Sequence, residues 1–374
     1  MSAFEARLDW QAGGVVHRDR LILAESAFQA DGRWLREAER ARREGVAELD
    51  ATPWIEPAGL PVAELPLAHF RMRAEPVPGR FYPRVAFAEL ASGPRDLRPA
   101  RLLAASGEIL RVGPDHPLAG TAVTLRILPT DLEPAPGVRM RELFDGPGMQ
   151  VPPDDAAEAY FRLEGFARED ETSDQLFYAN PRFIHHLDAA CREQLVRLHG
   201  RFLARDMRVL DIMSSWTSAL PDTPPLGHVA GLGMNPAELA ANPRLSEYVA
   251  KDLNERADLP WADGCFDLVL CAASIEYLLR PREVMAEAMR VLKPGGVCVV
   301  SFSDRWFPTK AIRVWSELHP FERLGMVLSL FAAAGFQELE TETLRGIKRP
   351  EDDKHAAQRA YSDPLFAAWG RKPG

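Results

Sequence analysis

The feature that most constrains this chain is a change of rhythm after residue 153. Short apolar runs, RVLDIM at 208–213, GHVAGLGM at 227–234, YVAKDL at 248–253, CFDLVLCAAS at 265–274 and GGVCVVSFS at 295–303, have the length and β-branched content of buried strands. Between and around them run helical segments: DDAAEAYFRLEGF, NPRFIHHLDAACREQLVRLHGRFL, NPAELAANP, RPREVMAEAMRVL, TKAIRVWSEL and PFERLGMVLSLFAAAG, with a last strand FQELETETLRG. Strand and helix in alternation predict a parallel sheet covered by helices on both faces. The expected fold class is α/β, a Rossmann-like, doubly wound, mostly parallel sheet with a smaller β-rich N-terminal domain. Such sheets take ligands beyond the C-terminal ends of their strands.

Proline marks the divisions. The chain has 31 prolines, crowded into 53–153, where they favour turns and extended connections and end helices. The main boundary is expected near 133–153 and a weaker one near 74–80. The predicted organisation is 1–75 as a helical or irregular segment, 76–135 as a β-rich module, 136–153 as a Pro/Gly-rich linker and 154–374 as the α/β domain. Within the first segment a helix is expected over about 31–49, capped by Asp31. In the second, RPARLLAASGEILRVG reads as two strands about a Ser-Gly turn, and Val123, Leu125 and Ile127 alternate as in a third.

Composition narrows the partners. A formal net charge of −9 argues against a dedicated nucleic-acid surface, and the basic run RWLREAERARR alternates sign as a solvated helical face does. The four cysteines, Cys191, Cys265, Cys271 and Cys298, form no CxxC pair and are expected as reduced, buried thiols of a cytoplasmic protein. The adjacent His185 and His186 point about 100° apart on a helix, which disfavours a shared metal, so no metal is expected. The N-terminus lacks the pattern of a signal peptide, and no window approaches 18 apolar residues, so no membrane span is expected.

Four segments carry a family resemblance: VLDIMSSWT at 209–217, VAGLGMNPAEL at 229–239, LPWADGCFDLVLCAASIEYL at 259–278 and RVLKPGGVCVVSF at 290–302. In order and content they resemble the class I, type 11-like methyltransferases that use S-adenosylmethionine (SAM). DIMSSW and GLGMN are similar to a glycine-poor subgroup. Separately, DHPLAG at 115–120, followed by a strand, resembles a segment of SlyD-type FKBP proteins, which are peptidyl-prolyl isomerases; that likeness spans about 50 residues and lacks the aromatic proline pocket.

The methyltransferase resemblance implies SAM as cofactor, held by Asp211, Met213, Ser214, Ser215, Trp216, Gly233, Met234, Asn235, Asp252, Leu253, Asn254, Ala273 and Ser274. It departs from the family where glycines become Met213 and the serines, whose hydroxyls can hydrogen-bond an amino-acid zwitterion. It departs again where the acidic ribose ligand becomes Gly233. Asn235 is open to two roles, ribose amide or helix cap, as Trp216 is between cofactor wall and core anchor. Asp252 is expected to accept from the adenine amino group, with the next N–H donating to the ring. Candidate catalytic residues are Tyr277, Tyr178 and His185. Candidate acceptor-binding residues are Phe177, Arg182, Arg305, Phe307, Lys310 and Trp315, where cations and aromatics are dense. The implied activity is methyl transfer to sulfur, oxygen or nitrogen of a small molecule. The alternatives are a non-catalytic binding protein that couples a degenerate SAM fold to the FKBP-like module, and an isomerase with a scaffold C-terminal half.

Overall fold

The computed structural model describes residues 3–29, 36, 39–40, 43–46, 48–55, 61–72, 75–94, 96–113, 115–146, 148–150 and 157–374. The chain divides into two compact units. The first comprises residues 1–165, 314–326 and 342–348, and the second 166–313, 327–341 and 349–374.

The first unit begins with a hairpin, β1 (Ala3–Ala12) and β2 (Val15–Ala24). Its two-residue turn is Gly13-Gly14, both at positive φ (56° and 77°), the geometry that matches strand twist and that glycine adopts without strain. This corrects the expectation of a helical or irregular segment over 1–75. The period-two pattern was present, with Phe4, Ala6, Leu8 and Trp10 all buried. It was masked by charged residues on the other face, which pair across strands: Arg20 with Glu5 at 2.7 Å, Arg18 with Asp9 at 3.3 Å and Arg126 with Asp9 at 3.2 Å. The helix expected over 31–49 falls largely outside the described residues. Those described at 36, 39–40 and 43–44 are helical, and β3 (Leu49–Asp50) follows.

Residues 76–135 do not form a unit of their own. β4 (Ala63–Pro66), β5 (Phe81–Pro83), β6 (Pro99–Ser106) and β7 (Ile109–Gly113) make a four-stranded antiparallel sheet in the order β4-β7-β6-β5. β6 and β7 meet at the expected Ser-Gly turn, with Ser106 opposite Ile109. β8 (Val123–Pro129), by contrast, pairs antiparallel with β1 and with β3. The DHPLAG segment is the turn between these sheets, where the His116 imidazole accepts from Leu118 N at 3.0 Å through Nδ1 and lies 2.6 Å from Phe144 O through Nε2. The expected linker at 136–153 is likewise structured in its described part. It carries α1 (Glu142–Asp145), and Met140, Leu143, Phe144 and Met149 pack into the core formed by β1, β2 and β8.

Where DDAAEAYFRLEGF was expected as a helix, the described residues form two short 3₁₀ segments, Ala157–Phe161 and Leu163–Phe166. The second unit then builds the predicted sheet. β9 (Arg208–Ile212), β10 (His228–Gly233), β11 (Glu247–Ala250), β12 (Phe266–Ala272) and β13 (Leu292–Phe302) run parallel in the order β11-β10-β9-β12-β13. The order reverses between β9 and β12, the switch point of a doubly wound sheet. Beyond β13 come β15 (Leu365–Arg371) and then β14 (Gln337–Arg345), whose last residues count with the first unit. β15 is antiparallel to β13. This strand was not anticipated, because LFAAWG is a short apolar run with no helix beside it to mark it.

Helices are shorter than the sequence suggested. NPRFIHHLDAACREQLVRLHGRFL splits at Asp188: after α2 (Asp174–Phe177), residues 178–187 form an irregular strap, and α3 covers Ala189–Gly200. Asp188 caps α3, its carboxylate accepting from Cys191 N at 2.9 Å, which satisfies an N–H that a longer helix would have used. α4 (Pro236–Ala241), α5 (Pro281–Val291), α6 (Arg313–Glu317) and α7 (Glu322–Ala334) complete the set. No helix among the described residues is long and apolar enough to cross a membrane.

One buried charge in the first unit offers a stability test. Asp19 is fully buried; Arg345 Nη2 reaches it at 2.6 Å, and the Thr343 hydroxyl also donates to it. Removing one partner of a buried pair leaves an uncompensated charge, at a cost of about 3–5 kcal/mol. Arg345→Met should lower the urea unfolding midpoint accordingly, and adding Asp19→Asn should recover part of the loss.

Candidate functional site

A cavity of about 490 Å³ opens in the second unit at the C-terminal ends of β9, β10 and β12 and the turn after β11. The strap 178–187 and the loop 305–307 after β13 also border it. All thirteen residues expected to hold a cofactor line it, as do Tyr277, Tyr178, His185, Arg182, Arg305 and Phe307.

The loop after β9, residues 213–219, carries no glycine. Met213 stands at the first glycine position and adopts φ +55°, a left-handed conformation that costs a side-chain-bearing residue about 1–2 kcal/mol. Hydrogen bonds hold it there. Ser214 N donates to Leu232 O at 2.7 Å. The hydroxyls of Ser214 (2.7 Å) and Ser218 (2.6 Å) both donate to Asp211 Oδ2. The Ser215 hydroxyl donates to Glu238 at 2.5 Å, and Asn242 Nδ2 donates to Ser215 O at 2.8 Å. The serine hydroxyls were expected to face a zwitterion; they are instead bound within the loop. Asp211 is wholly buried, and burial pushes its carboxyl up to about 6 although the two serines oppose the shift.

Gly233 explains the other departure. A Cβ there would lie 2.1 Å from Ser214 O, so no acid can occupy this position while the loop takes its present path. Asn235 does not compensate. Its Oδ1 caps α4 by accepting from Ala237 N (2.9 Å) and Glu238 N (3.2 Å), and its Nδ2 donates to Tyr178 O and Ala179 O. Of its two expected roles the cap is the one occupied, and the same amide anchors the strap.

Other groups remain available. Among the described residues, the N–H groups of Ser215, Trp216, Thr217 and Leu253 have no hydrogen-bond partner. Asp252 accepts from Asn254 N at 2.8 Å through Oδ1, and its Oδ2 has no partner among the described residues. Asn254 is structural, bridging Asp174, Tyr277 O and Leu279 N. Ala273, directly after β12, adopts φ +50°, and the Ser274 hydroxyl turns back to Ala272 O. Two non-glycine residues with positive φ thus border one cavity, the kind of local strain that functional sites retain. Trp216 is half-buried and serves as a wall: His185 stacks on it at 4.7 Å, and its Nε1 donates to Ile184 O at 3.2 Å.

On the opposite side, Phe307 is ringed by Tyr277 (6.0 Å), Phe177 (5.7 Å) and His186 (5.0 Å). The buried Tyr277 hydroxyl accepts from Phe307 N at 2.8 Å. Burial raises both tyrosines, Tyr277 and Tyr178, so both stay protonated. Three expected acceptor residues do not reach the cavity. Phe177 lies behind its wall, under the Arg182 guanidinium at 4.3 Å. Lys310 is completely buried, its ammonium donating to Asp170 O and Thr172 O and pairing with Asp170 and Asp174. Trp315 is buried in the first unit against Arg323. Density of cations and aromatics in sequence therefore overstated the site, because half of that density serves packing.

His186, Arg192, Glu238 and Lys354 also border the cavity and were not among the candidates. A cap at Asp188 would have placed Arg192 in the first turn of α3, beside the strap. Lys354 had no signal, since 349–363 lacks periodicity. That segment is fixed by Arg349, which bridges Asp188 (3.4 Å), Asp353 (2.9 Å) and Asp363. The Asp188 cap thus holds both the strap end and the segment that carries Lys354.

Residues 215–300 match the family model of the methyltransferase domain. An uncharacterized methyltransferase of Mycolicibacterium gilvum is 30% identical over 175 residues, 46% of this chain and 63% of that protein. The ubiquinone/menaquinone biosynthesis C-methyltransferase UbiE of Roseobacter denitrificans is 34% identical over 26% of this chain and 38% of its own. Norajmaline N-methyltransferase of Rauvolfia serpentina is 32% identical over 20% of this chain and 28% of its own. The chain spans less than two thirds of the length of these curated relatives.

Two outcomes follow from the loop. Gly233→Asp should destabilise the second unit by more than about 2 kcal/mol, as overpacking against backbone does; a thermal melt checks this. Asp211 binds its proton more tightly folded than unfolded, so its contribution to stability falls as pH rises from about 4 to about 6 and then levels off. Asp211→Asn should remove that slope, gaining about 3 kcal/mol on wild type between pH 4 and pH 7 in urea titrations.

Proposed function

We propose that the cavity of the second unit binds SAM and that the chain transfers its methyl group to the sulfur, oxygen or nitrogen of a small molecule. The observation that carries this reading is a row of unpartnered backbone N–H groups at Ser215–Thr217, at the switch point of a doubly wound sheet. It stands beside an acid, Asp252, with one carboxylate oxygen open. These donors border the cavity without partners, and three in succession suit a carboxylate. The methyltransferase-domain match over 215–300 supports methyl transfer, and of the relatives norajmaline N-methyltransferase is named for transfer to nitrogen and UbiE for transfer to carbon.

Bound there, the cofactor supplies a methyl group already activated on a sulfonium. The chain's work is then positioning and exclusion of water. Ser215, Trp216 and Thr217 hold the amino-acid end through their N–H groups. Asp252 Oδ2 accepts from the adenine amino group, and Leu253 N donates to the ring. Trp216, stacked with His185, walls one side. Tyr277 and Tyr178 orient the acceptor as hydroxyl donors. Where the nucleophile carries a proton, His185 is the group to take it, since burial and Arg192 lower its pKa and keep it neutral.

Calorimetry with S-adenosylhomocysteine on the full chain tests the reading. Wild type should bind, and Asp252→Ala should weaken binding about tenfold, or 1.4 kcal/mol. No heat at millimolar ligand would leave the cavity to the non-catalytic alternative, and an unchanged constant in the variant would remove Asp252 from the adenine.

A further inference from the structure

The cavity wall is cationic in a chain whose net charge is −9. Arg182, Arg192, Arg305, Lys251 and Lys354 border it. Lys251 is paired with Asp258 at 2.8 Å. The others are not so neutralised. Arg182 sits over Phe177 and Phe307 (4.3 and 5.3 Å) and donates to Phe177 O; its guanidinium has no carboxylate partner among the described residues, although its backbone N–H donates to Glu238. Arg192 Nε is buried without a hydrogen bond. Lys354 has no ion pair among the described residues. Arg305 lies 3.8 Å from an Asp363 oxygen that Arg349 and Arg359 also approach.

The acids on the wall are already engaged. Asp174 is held by Arg168 and Lys310, and Asp211 by two serines. Glu238 accepts from Ser215 and from Arg182 N. Asp252 remains, with its one open oxygen. A SAM molecule, with sulfonium, ammonium and carboxylate, adds one further positive charge. Its carboxylate can answer only one of the remaining cations, of which Arg305 already shares Asp363 and lies 3.3 Å from His355 Nε2.

Arg182 and Arg305 both border the cavity near Phe307: Arg182 lies over its ring at 5.3 Å, and Arg305 precedes it by two residues. His186, edge-on to Phe307 at 5.0 Å, is lowered by burial and then by Arg182, Lys354 and Arg305, with Glu238 opposing. Tyr277 lies 6.0 Å from Phe307 and Tyr178 lies under Arg182 at 5.6 Å, and Trp306 also borders the cavity. Planar guanidinium groups beside aromatic rings recognise a carboxylate on a flat apolar body.

We propose that the methyl acceptor is an anionic, ring-bearing small molecule whose carboxylate is bound by Arg182 and Arg305, with Lys354 adding charge at the mouth. This rests on the methyltransferase reading. The experiment uses the full chain saturated with S-adenosylhomocysteine and titrates two isosteric probes, 2-naphthoate and its neutral amide, 2-naphthamide. The acid should bind at least tenfold more tightly than the amide, and its binding alone should weaken as sodium chloride is raised. Arg182→Gln and Arg305→Gln should each cut that preference to threefold or less, with S-adenosylhomocysteine affinity held within threefold. Lys354→Gln, at an exposed position, should reduce the preference about threefold without disturbing the fold. Equal binding of acid and amide, no binding of the acid, or a preference that survives both arginine variants would overturn the proposal while the cofactor reading stands. Failure of S-adenosylhomocysteine to bind wild type, seen in the first titration, would remove both.

Discussion

The backbone of the loop after β9 lies against β10 so closely that residue 233 must have no side chain. The rest of the site follows from this one contact. With the loop seated there, Ser214 N meets Leu232 O, Met213 is forced left-handed, and the serine hydroxyls fall onto Asp211 and Glu238. The glycine-free loop and the side-chain-free position 233 are therefore one arrangement seen at two places. Side-chain hydrogen bonds replace conformational freedom in holding the loop, and the N–H groups of the next three residues stay turned out of any internal pairing.

A second set of contacts shapes the opposite wall. Asp188 ends the strap by capping α3, and Arg349 joins that cap to the segment 349–363. Asn235 fastens the strap's start through Tyr178 O and Ala179 O. The strap is irregular, yet both ends are pinned by side chains whose hydrogen bonds are fully used. Its aromatic and cationic residues are thus presented by a frame that does not depend on helix propensity.

The sequence disclosed the second unit's sheet, because strands buried on both faces read as continuous apolar runs that little else can produce. It disclosed which positions border the cavity, since strand ends locate the switch point. What it hid was the state of the groups there. Nothing in SSW announces that the hydroxyls turn to Asp211 and Glu238 rather than outward, for that depends on the close approach of Ser214 to Gly233. Lys310 and Trp315 misled because a buried ion pair and a core indole have the same composition as a binding loop. In the first unit, Arg7, Asp9, Arg18 and Arg20 obscured a hairpin whose apolar alternation was intact. The turn at 115–120 resembled a module, although the strands on its two sides belong to different sheets.

The position of β15 carries a consequence for how the chain is made. Residues 365–371 lie between β13 and β14, and all but one are buried. During synthesis, β9 to β13 emerge from the ribosome long before this partner exists, so β13 waits with one edge unpaired. The nascent protein therefore passes through an interval in which its own interior strand is an open template, closed only when translation has moved past residue 371.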